Sequence, residues 1–371
     1  MKNTLILLLM SFLISCSSSV SSDKINWKSA GFLPAQTGFE RNIGTAGVLY
    51  GTLENKYIVV GGGANFPYEN GVLGGKRETY SDIYLLEDKN GKLEVVEHTN
   101  WINKIGYGAS VTTTNGIYYI GGSTEPTADD DILYITLKDN KLNIEHIGDL
   151  PFTLQNAVAV YDNNKLYILA GKQNGVATNK VYSYDLNTKE VKELASIPNE
   201  ATRTQPVAQL LSGSIYLFSG GDKIAYTDGY KYDILNNTWH KVSDVQLADE
   251  NEGISLLGAV SIKLNEAEMM VVGGFNKAVY DDAVSNLSTL KDTALADFRA
   301  EYFARTPEAF NWNKKVLVYN ADFDSWKSYG EIPFAAPCGE GLVYLNGKVY
   351  SINGEIKPGV RTNEMYVGTV F

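Results

Sequence analysis

The sequence predicts an all-β fold assembled from repeated four-stranded units, and three observations carry that prediction. One pattern recurs along the chain: an apolar strand rich in small residues, a polar turn, an apolar strand that usually contains Tyr, then a pair of small residues. Each of the first five copies is followed by two further strand-like runs. The last copy stops one strand short, and a strand of matching shape stands at the opposite end of the chain. With 371 residues and 44% hydrophobic composition, there is apolar material for one large repeat assembly.

The copies run in order as Ala46–Gly62, Gly108–Gly122, Ala157–Gly171, Val207–Gly221, Leu257–Gly274 and Gly341–Gly354. Their second strands read, for example, Tyr57-Ile58-Val59-Val60, Tyr118-Tyr119-Ile120 and Val349-Tyr350-Ser351-Ile352. Outer strand pairs follow, such as Val181–Asp185 with Val191–Leu194, Tyr230–Asp233 with Thr238–Val242, and Val316–Asn320 with Ser325–Lys327. The paired small residues fall where neighbouring backbones crowd and a missing Cβ helps. Paired Gly, then Tyr, then Trp at a period of roughly 50 residues resembles kelch repeats, each one a four-stranded propeller blade.

The sixth copy has its first two strands and a third at Glu364–Val370 before the chain stops. The missing outer strand is expected at Ile25–Lys28, so that the N-terminal strand closes the C-terminal blade and leaves no long open edge. The expectation is one six-bladed β-propeller over residues 25–371.

Residues 1–15 read as a lipoprotein signal peptide. Lys2 gives a positive start, and Thr4 to Leu13 is an apolar run too short to span a bilayer. Leu13-Ile14-Ser15-Cys16 resembles a bacterial lipobox, with Cys16 lipidated and residues 16–24 forming a Ser-rich tether. The alternative is a plain secretory signal with an incidental Cys. The expected location is the periplasmic face of a membrane or the cell surface, with membrane contact only through the anchor. Using Cys16 in this way leaves Cys338 without a disulfide partner.

Two stretches interrupt the repeat. Asn65–Tyr80 is a long Gly-rich loop carrying Phe66, Lys76 and Arg77. Asn276–Lys314 puts about 40 residues where a short turn is usual. In it Leu287, Leu290, Ala294, Phe298 and Tyr302 recur at helical spacing, and Pro307 ends the pattern. This helical insertion in the fifth blade is either a brace for the propeller or a lid over its ligand face.

The net charge of −11 excludes a phosphate-backbone partner, so no nucleic acid is expected. His98, His146 and His240 lie in separate blades without paired spacing, so no metal site is expected. Asp129-Asp130-Asp131 has calcium-ligand residue types without the loop spacing and reads as a solvated turn. Neither a phosphate-cradling loop nor a GxSxG nucleophile motif is present. No cofactor is expected.

The residues that follow the paired small residues are Gly63, Ser123, Lys172, Asp222, Phe275 and Glu355, and only Glu355 has an Arg close behind it. In Ser351–Asn363 the turn-forming Pro358-Gly359 can hold Glu355 and Arg361 on one side of a loop. That pair is either a general base beside a carboxylate-reading fork or an ordinary surface ion pair. The chain has six Arg among 32 basic residues, at 41, 77, 203, 299, 305 and 361, all outside predicted strands. Such sparing use fits sites where the planar bidentate fork matters, although Arg also decorates plain loops.

At this point the residues resemble a family. Gly62-Gly63-Ala64-Asn65-Phe66-Pro67, Lys76-Arg77-Glu78-Thr79-Tyr80-Ser81-Asp82-Ile83 and Ile352-Asn353-Gly354-Glu355-Ile356-Lys357-Pro358-Gly359-Val360-Arg361-Thr362 resemble the N-acetylneuraminate (sialic acid) epimerase or mutarotase family. The blade order resembles its cyclically permuted branch. The resemblance implies a six-bladed propeller, interconversion of α and β anomers of N-acetylneuraminate, and Glu355 and Arg361 as catalytic residues. It also implies Arg203, Arg77, Asn353 and Tyr80 as substrate-binding residues. Arg77 stands where Lys is common and Ala259 where His can occur.

Mutarotation needs one proton removed from the anomeric hydroxyl and one supplied to the ring oxygen. Glu355, as a carboxylate, is the expected base, with Arg361 holding the substrate carboxylate or developing charge. The alternative function is a non-catalytic glycan- or protein-binding surface lipoprotein on the same scaffold.

Overall fold

The computed structural model describes residues 24–68, 71–123 and 128–371; the predicted signal peptide and the lipidation residue Cys16 lie outside the described residues. Among the described residues the chain is all-β apart from two α-helices and three short 3-10 turns. Six antiparallel sheets, five of four strands and one of five, run in up-and-down order, an arrangement consistent with a propeller. Their innermost strands are Leu49–Leu53, Ala109–Thr112, Val158–Asp162, Val207–Leu211, Val260–Lys263 and Gly341–Leu345. We number the sheets one to six in that order.

The N-terminal strand Ile25–Phe32 pairs antiparallel with Glu364–Val370 and becomes the outer strand of the sixth sheet, with Ile25 opposite Val370. Trp27 and Ile25 from this strand are buried with Val349 and Leu342 in one apolar cluster. These two strands are thus tied by ladder hydrogen bonds and by core packing.

Six backbone hydrogen bonds link the sheets in a closed circuit just before their inner strands. Gly47 donates to Gly339, Tyr107 to Gly47, Asn156 to Tyr107, Gln205 to Asn156, Gly258 to Gln205 and Gly339 to Gly258, over 2.7–3.3 Å. All six residues are left-handed, with φ between 50° and 80°. For Tyr107 and Gln205 this conformation costs about 1–2 kcal/mol each, so the circuit holds them against local preference.

The paired small residues of the repeat have a steric cause. A Cβ on Gly62 would lie 2.4 Å from the Ile105 carbonyl oxygen, and one on Gly121 would lie 2.5 Å from that of Leu154. At Gly273 the corresponding distance to the Pro337 oxygen is 2.0 Å. In each case the obstacle is the backbone entering the next sheet.

The insertion contains two helices rather than one continuous pattern: α1 at Lys277–Thr289 and α2 at Asp292–Ala304. Asn276 caps α1 by accepting from Val279 N–H at 3.1 Å. The helix fails after Ser285-Asn286-Leu287-Ser288-Thr289, a run dominated by residues whose side chains compete for backbone hydrogen bonds; Thr289 and Ser288 hydroxyls both donate to Ser285 carbonyl. Leu290 is extended, and Ala294 is exposed rather than part of an apolar face. Phe298 and Tyr302 do pack inward, Tyr302 meeting Phe310 edge-on at 5.1 Å.

Candidate functional site

The site is built on a short hairpin that leaves the second strand of the sixth sheet. Asn353 has a left-handed φ of 62°, which breaks the strand. Glu355–Lys357 and Val360–Arg361 then pair across the Pro358-Gly359 turn, with Glu355 opposite Arg361. Gly359 is required there twice over: its φ is 84°, and a Cβ would lie 2.4 Å from Val72. Cys338 and Glu355 exchange both backbone hydrogen bonds, at 2.8 and 2.9 Å, which roots the hairpin on the segment entering the sixth sheet.

Glu355 Oε1 accepts from Gly359 N–H at 2.7 Å and lies 3.1 Å from Arg361 NH1. The Arg361 side chain is only 3% exposed, and its Nε and NH1 lack an aligned hydrogen-bond acceptor among the described residues. NH2 lies 3.4 Å from the Tyr107 hydroxyl, and the guanidinium sits 4.8 Å from the centre of the Phe66 ring. Burial works against the guanidinium's charge, yet Glu355 and then Tyr107 hold its pKa above the ordinary Arg value. The Tyr302 phenol is pushed up to about 12, first by burial and then by the Glu355 carboxylate, so α2 reaches the same neighbourhood.

Two neighbours clamp the hairpin. Lys357 Nζ donates to the carbonyls of Phe303 and Arg305, at 3.0 and 2.7 Å, where the last turn of α2 leaves them without helical partners. From the other side, Val72 and Phe66 of the loop in the first sheet lie against Gly359 and Arg361.

The structure brings some of the sequence-predicted residues together and separates others. Arg77 joins the group through Tyr107, its guanidinium 4.7 Å from that ring's centre. Asn353 is buried, and its amide donates to Thr45 Oγ1 at 3.1 Å, a contact that ties the sixth sheet to the first. Tyr80 is 6% exposed, with its ring against Phe39, and serves packing.

Arg203 is a correction. It is fully buried, its NH1 and NH2 donate to the two oxygens of Asp228 at 2.8 and 2.9 Å, and NH1 also donates to the Ser219 carbonyl. Nε also donates to the Ala201 carbonyl, so four of its five N–H donors are used inside the protein and none of the side chain is exposed; Arg203 is a structural residue of the fourth sheet. Arg361, expected outside strands, lies in one. Asp129–Asp131 begin a strand rather than a turn, and Asp131 and Asp149 flank His146 at 3.4 and 2.7 Å.

The sequence reading missed Tyr107 and Lys357. Tyr107 was findable, because it occupies the position before an inner strand that Gly47, Gln205 and Gly339 occupy in other copies. Lys357 pairs with backbone carbonyls, which no side-chain pattern reports. A cavity of about 1030 Å³ between the fifth sheet and the insertion, lined by Phe275, Lys277, Trp312 and Phe334, meets the hairpin through Ile356, while Glu355 and Arg361 lie outside its lining.

Known proteins resemble this chain. A family model described as N-acetylneuraminate epimerase matches residues 147–370, more than half of the chain and inclusive of the hairpin. The N-acetylneuraminate epimerase of Salmonella typhi is 32% identical over 229 residues, covering 59% of this chain and 57% of that protein. The Yersinia enterocolitica protein of the same description is 28% identical over 250 residues, covering 64% and 60%. These matches therefore span little more than half the length of the relatives. The solved structure of YjhT aligns with a TM-score of 0.51 at 26% identity, over 58% of this chain and 63% of that one. On the family match, which takes in sheets three to five, three strands of the sixth and the Glu355–Arg361 hairpin, the chain belongs to the N-acetylneuraminate epimerase family.

Proposed function

We propose that this protein is a mutarotase that interconverts the α and β anomers of N-acetylneuraminate, with Glu355 as general base and Arg361 holding the sugar's carboxylate. The observation that carries this reading is the buried Arg361 guanidinium, whose Nε and NH1 have no aligned hydrogen-bond acceptor among the described residues, although NH1 is ion-paired with Glu355. A buried cation with spare, planar donors is matched to a carboxylate, the group that distinguishes a sialic acid from a neutral sugar.

Glu355 fits the base role by its contacts. Gly359 N–H and Arg361 both address Oε1, which fixes the carboxylate and leaves Oε2 to accept the proton. Removing that proton from the anomeric hydroxyl opens the ring to the keto form, which rotates and recloses. Arg77, through Tyr107, and Asn353 shape the surroundings of the pair.

The scaffold is read as a six-bladed propeller over residues 25–371, closed by its N-terminal strand; the circuit of six inter-sheet hydrogen bonds supports that count. Residues 1–15 are read as the signal peptide, with Cys16 lipidated and 16–24 as tether, which places the enzyme outside the cytoplasm on a membrane anchor. The test is Glu355→Gln: anomer exchange should fall by about 10²–10⁴-fold, the usual worth of a positioned base, while N-acetylneuraminate still binds. Full activity in that variant would refute the base assignment. Binding by the unaltered protein without acceleration would favour a glycan-binding lipoprotein instead.

A further inference from the structure

Tyr107 is an unexpected residue where it stands. All six residues of the inter-sheet circuit are left-handed; Gly47, Gly258 and Gly339 are glycines, and Asn156 and Gln205 carry neutral amides. Only Tyr107 brings a side chain that can give up a proton. A bulky ring at φ 60° works against its own backbone preference, and residues kept in that region gather at functional sites.

Its neighbours hold the ring in one place. The Tyr107 N–H donates to the Gly47 carbonyl at 2.7 Å, and its carbonyl accepts from Asn156 N–H at 2.8 Å, so both backbone groups are committed to the circuit. The ring packs on Gly47, where a Cβ would come within 2.4 Å of the ring's Cδ1. The Arg77 guanidinium sits 4.7 Å from the ring centre. The hydroxyl is thereby delivered to Arg361, 3.4 Å from NH2.

Glu355 meets the same guanidinium at its other terminal nitrogen, NH1, at 3.1 Å. Arg361 thus carries a carboxylate at one nitrogen and a phenol at another. In N-acetylneuraminate the carboxylate is bonded to the anomeric carbon. That carbon also bears the two oxygens that change in mutarotation, the hydroxyl and the ring oxygen. A sugar whose carboxylate is held by Arg361 therefore brings both oxygens to the guanidinium's two neighbours.

We propose that Tyr107 is the general acid of the reaction, giving its phenol proton to the ring oxygen as the sugar opens and taking it back as the sugar closes. The assignment rests on the mutarotase reading above. As Glu355 takes the proton of the anomeric hydroxyl, that O–H electron pair becomes the second bond of the carbonyl. The bond from the anomeric carbon to the ring oxygen breaks, and its electron pair takes the phenol proton, leaving a phenolate beside Arg361. On closure the phenolate recovers that proton as the same sugar oxygen attacks the carbonyl, and Glu355 returns the other proton to the carbonyl oxygen. No proton is lost over a cycle. The guanidinium offsets the charge that develops on the phenolate, as a fixed cation at the point of charge development should. The ionisable groups around the phenol are Arg361 and Glu355 on the hairpin and Arg77 on the loop of the first sheet. Tyr50 and Glu340 share with it a cavity of about 110 Å³ at the starts of the inner strands.

The experiment is Tyr107→Phe in the full chain, which keeps the ring on Gly47 and Arg77 and removes only the hydroxyl. Anomer exchange should slow by about 10²–10⁴-fold, with N-acetylneuraminate affinity unchanged and the alkaline limb of the pH–rate profile lost. Fluorotyrosine placed at position 107, a more acidic phenol, should instead move that limb to lower pH, a shift that a packing role does not produce. Wild-type exchange in a folded Tyr107→Phe protein would overturn the acid role. So would slower exchange traced to weaker binding alone, or an alkaline limb that fluorotyrosine leaves in place. If the unaltered protein leaves anomer exchange at the buffer rate, the mutarotase reading itself fails; an active unaltered protein with an equally active variant sinks the acid role alone.

Discussion

Glu355 and Arg361 face each other across a hairpin only seven residues long, with NH1 of one 3.1 Å from Oε1 of the other. The turn between them also donates Gly359 N–H to that same oxygen. The carboxylate is therefore held by its own loop, while the guanidinium keeps donors for another acceptor.

Arg361→Lys keeps the charge and discards the planar fork. Affinity for N-acetylneuraminate should weaken at least about tenfold, in line with about 1.5–3 kcal/mol for a hydrogen bond to a charged group. Calorimetric titration reads this directly, and an unchanged dissociation constant would count against carboxylate recognition by Arg361.

Arg203 should behave differently. Arg203→Ala leaves Asp228 without its bidentate partner and opens space in a fully buried site. Breaking a buried pair costs about 3–5 kcal/mol, with the lower end expected because Asp228 is partly solvated. Urea denaturation should report the loss, whereas the folded fraction should bind sugar as before. A selective loss of binding at normal stability would restore Arg203 to the site.

Lys357 joins the hairpin to the end of α2 through two backbone carbonyls. Lys357→Met keeps the aliphatic stem and removes those bonds. Amide hydrogen exchange in 300–306 should quicken, and KM should rise more than kcat falls, because the hairpin loses a support rather than a reacting group. Unchanged exchange there would mean that the helices hold their place without the hairpin.

Much of this was legible in the sequence because it repeats. The paired glycines mark the same backbone crossing in several sheets, and the strand at Ile25 announced itself by the outer strand missing after Val370. Glu355 stood out as the one acidic successor with an Arg behind it. The failures share a cause: Arg203 and Lys357 take their roles from partners distant in sequence or from backbone groups. Asp228, just before a later strand, and the carbonyls of Phe303 and Arg305 leave no periodic trace. The break between α1 and α2 was written in Ser285–Thr289, but apolar spacing alone read across it.

Glu340, buried just before the inner strand of the sixth sheet with neither carboxyl oxygen hydrogen-bonded among the described residues, makes a prediction about pH and stability. Its carboxyl is raised in the folded protein, so between about pH 4.3, the ordinary Glu value, and its folded-state value the native chain binds one proton more than the unfolded chain. Its contribution to stability is fully present below that window and falls as pH rises through it, by about 1.4 kcal/mol per pH unit. Urea denaturation at about pH 5 and pH 7 should show a downward slope that Glu340→Gln removes. An identical slope in the variant would show that Glu340 titrates normally.

The most direct test of the central claim is exchange NMR on N-acetylneuraminate with catalytic amounts of the protein lacking its predicted signal peptide and Cys16. We predict accelerated magnetisation transfer between the α and β anomers, abolished in Glu355→Gln. Anomer exchange at the buffer rate, with the sugar bound or not, would contradict the account.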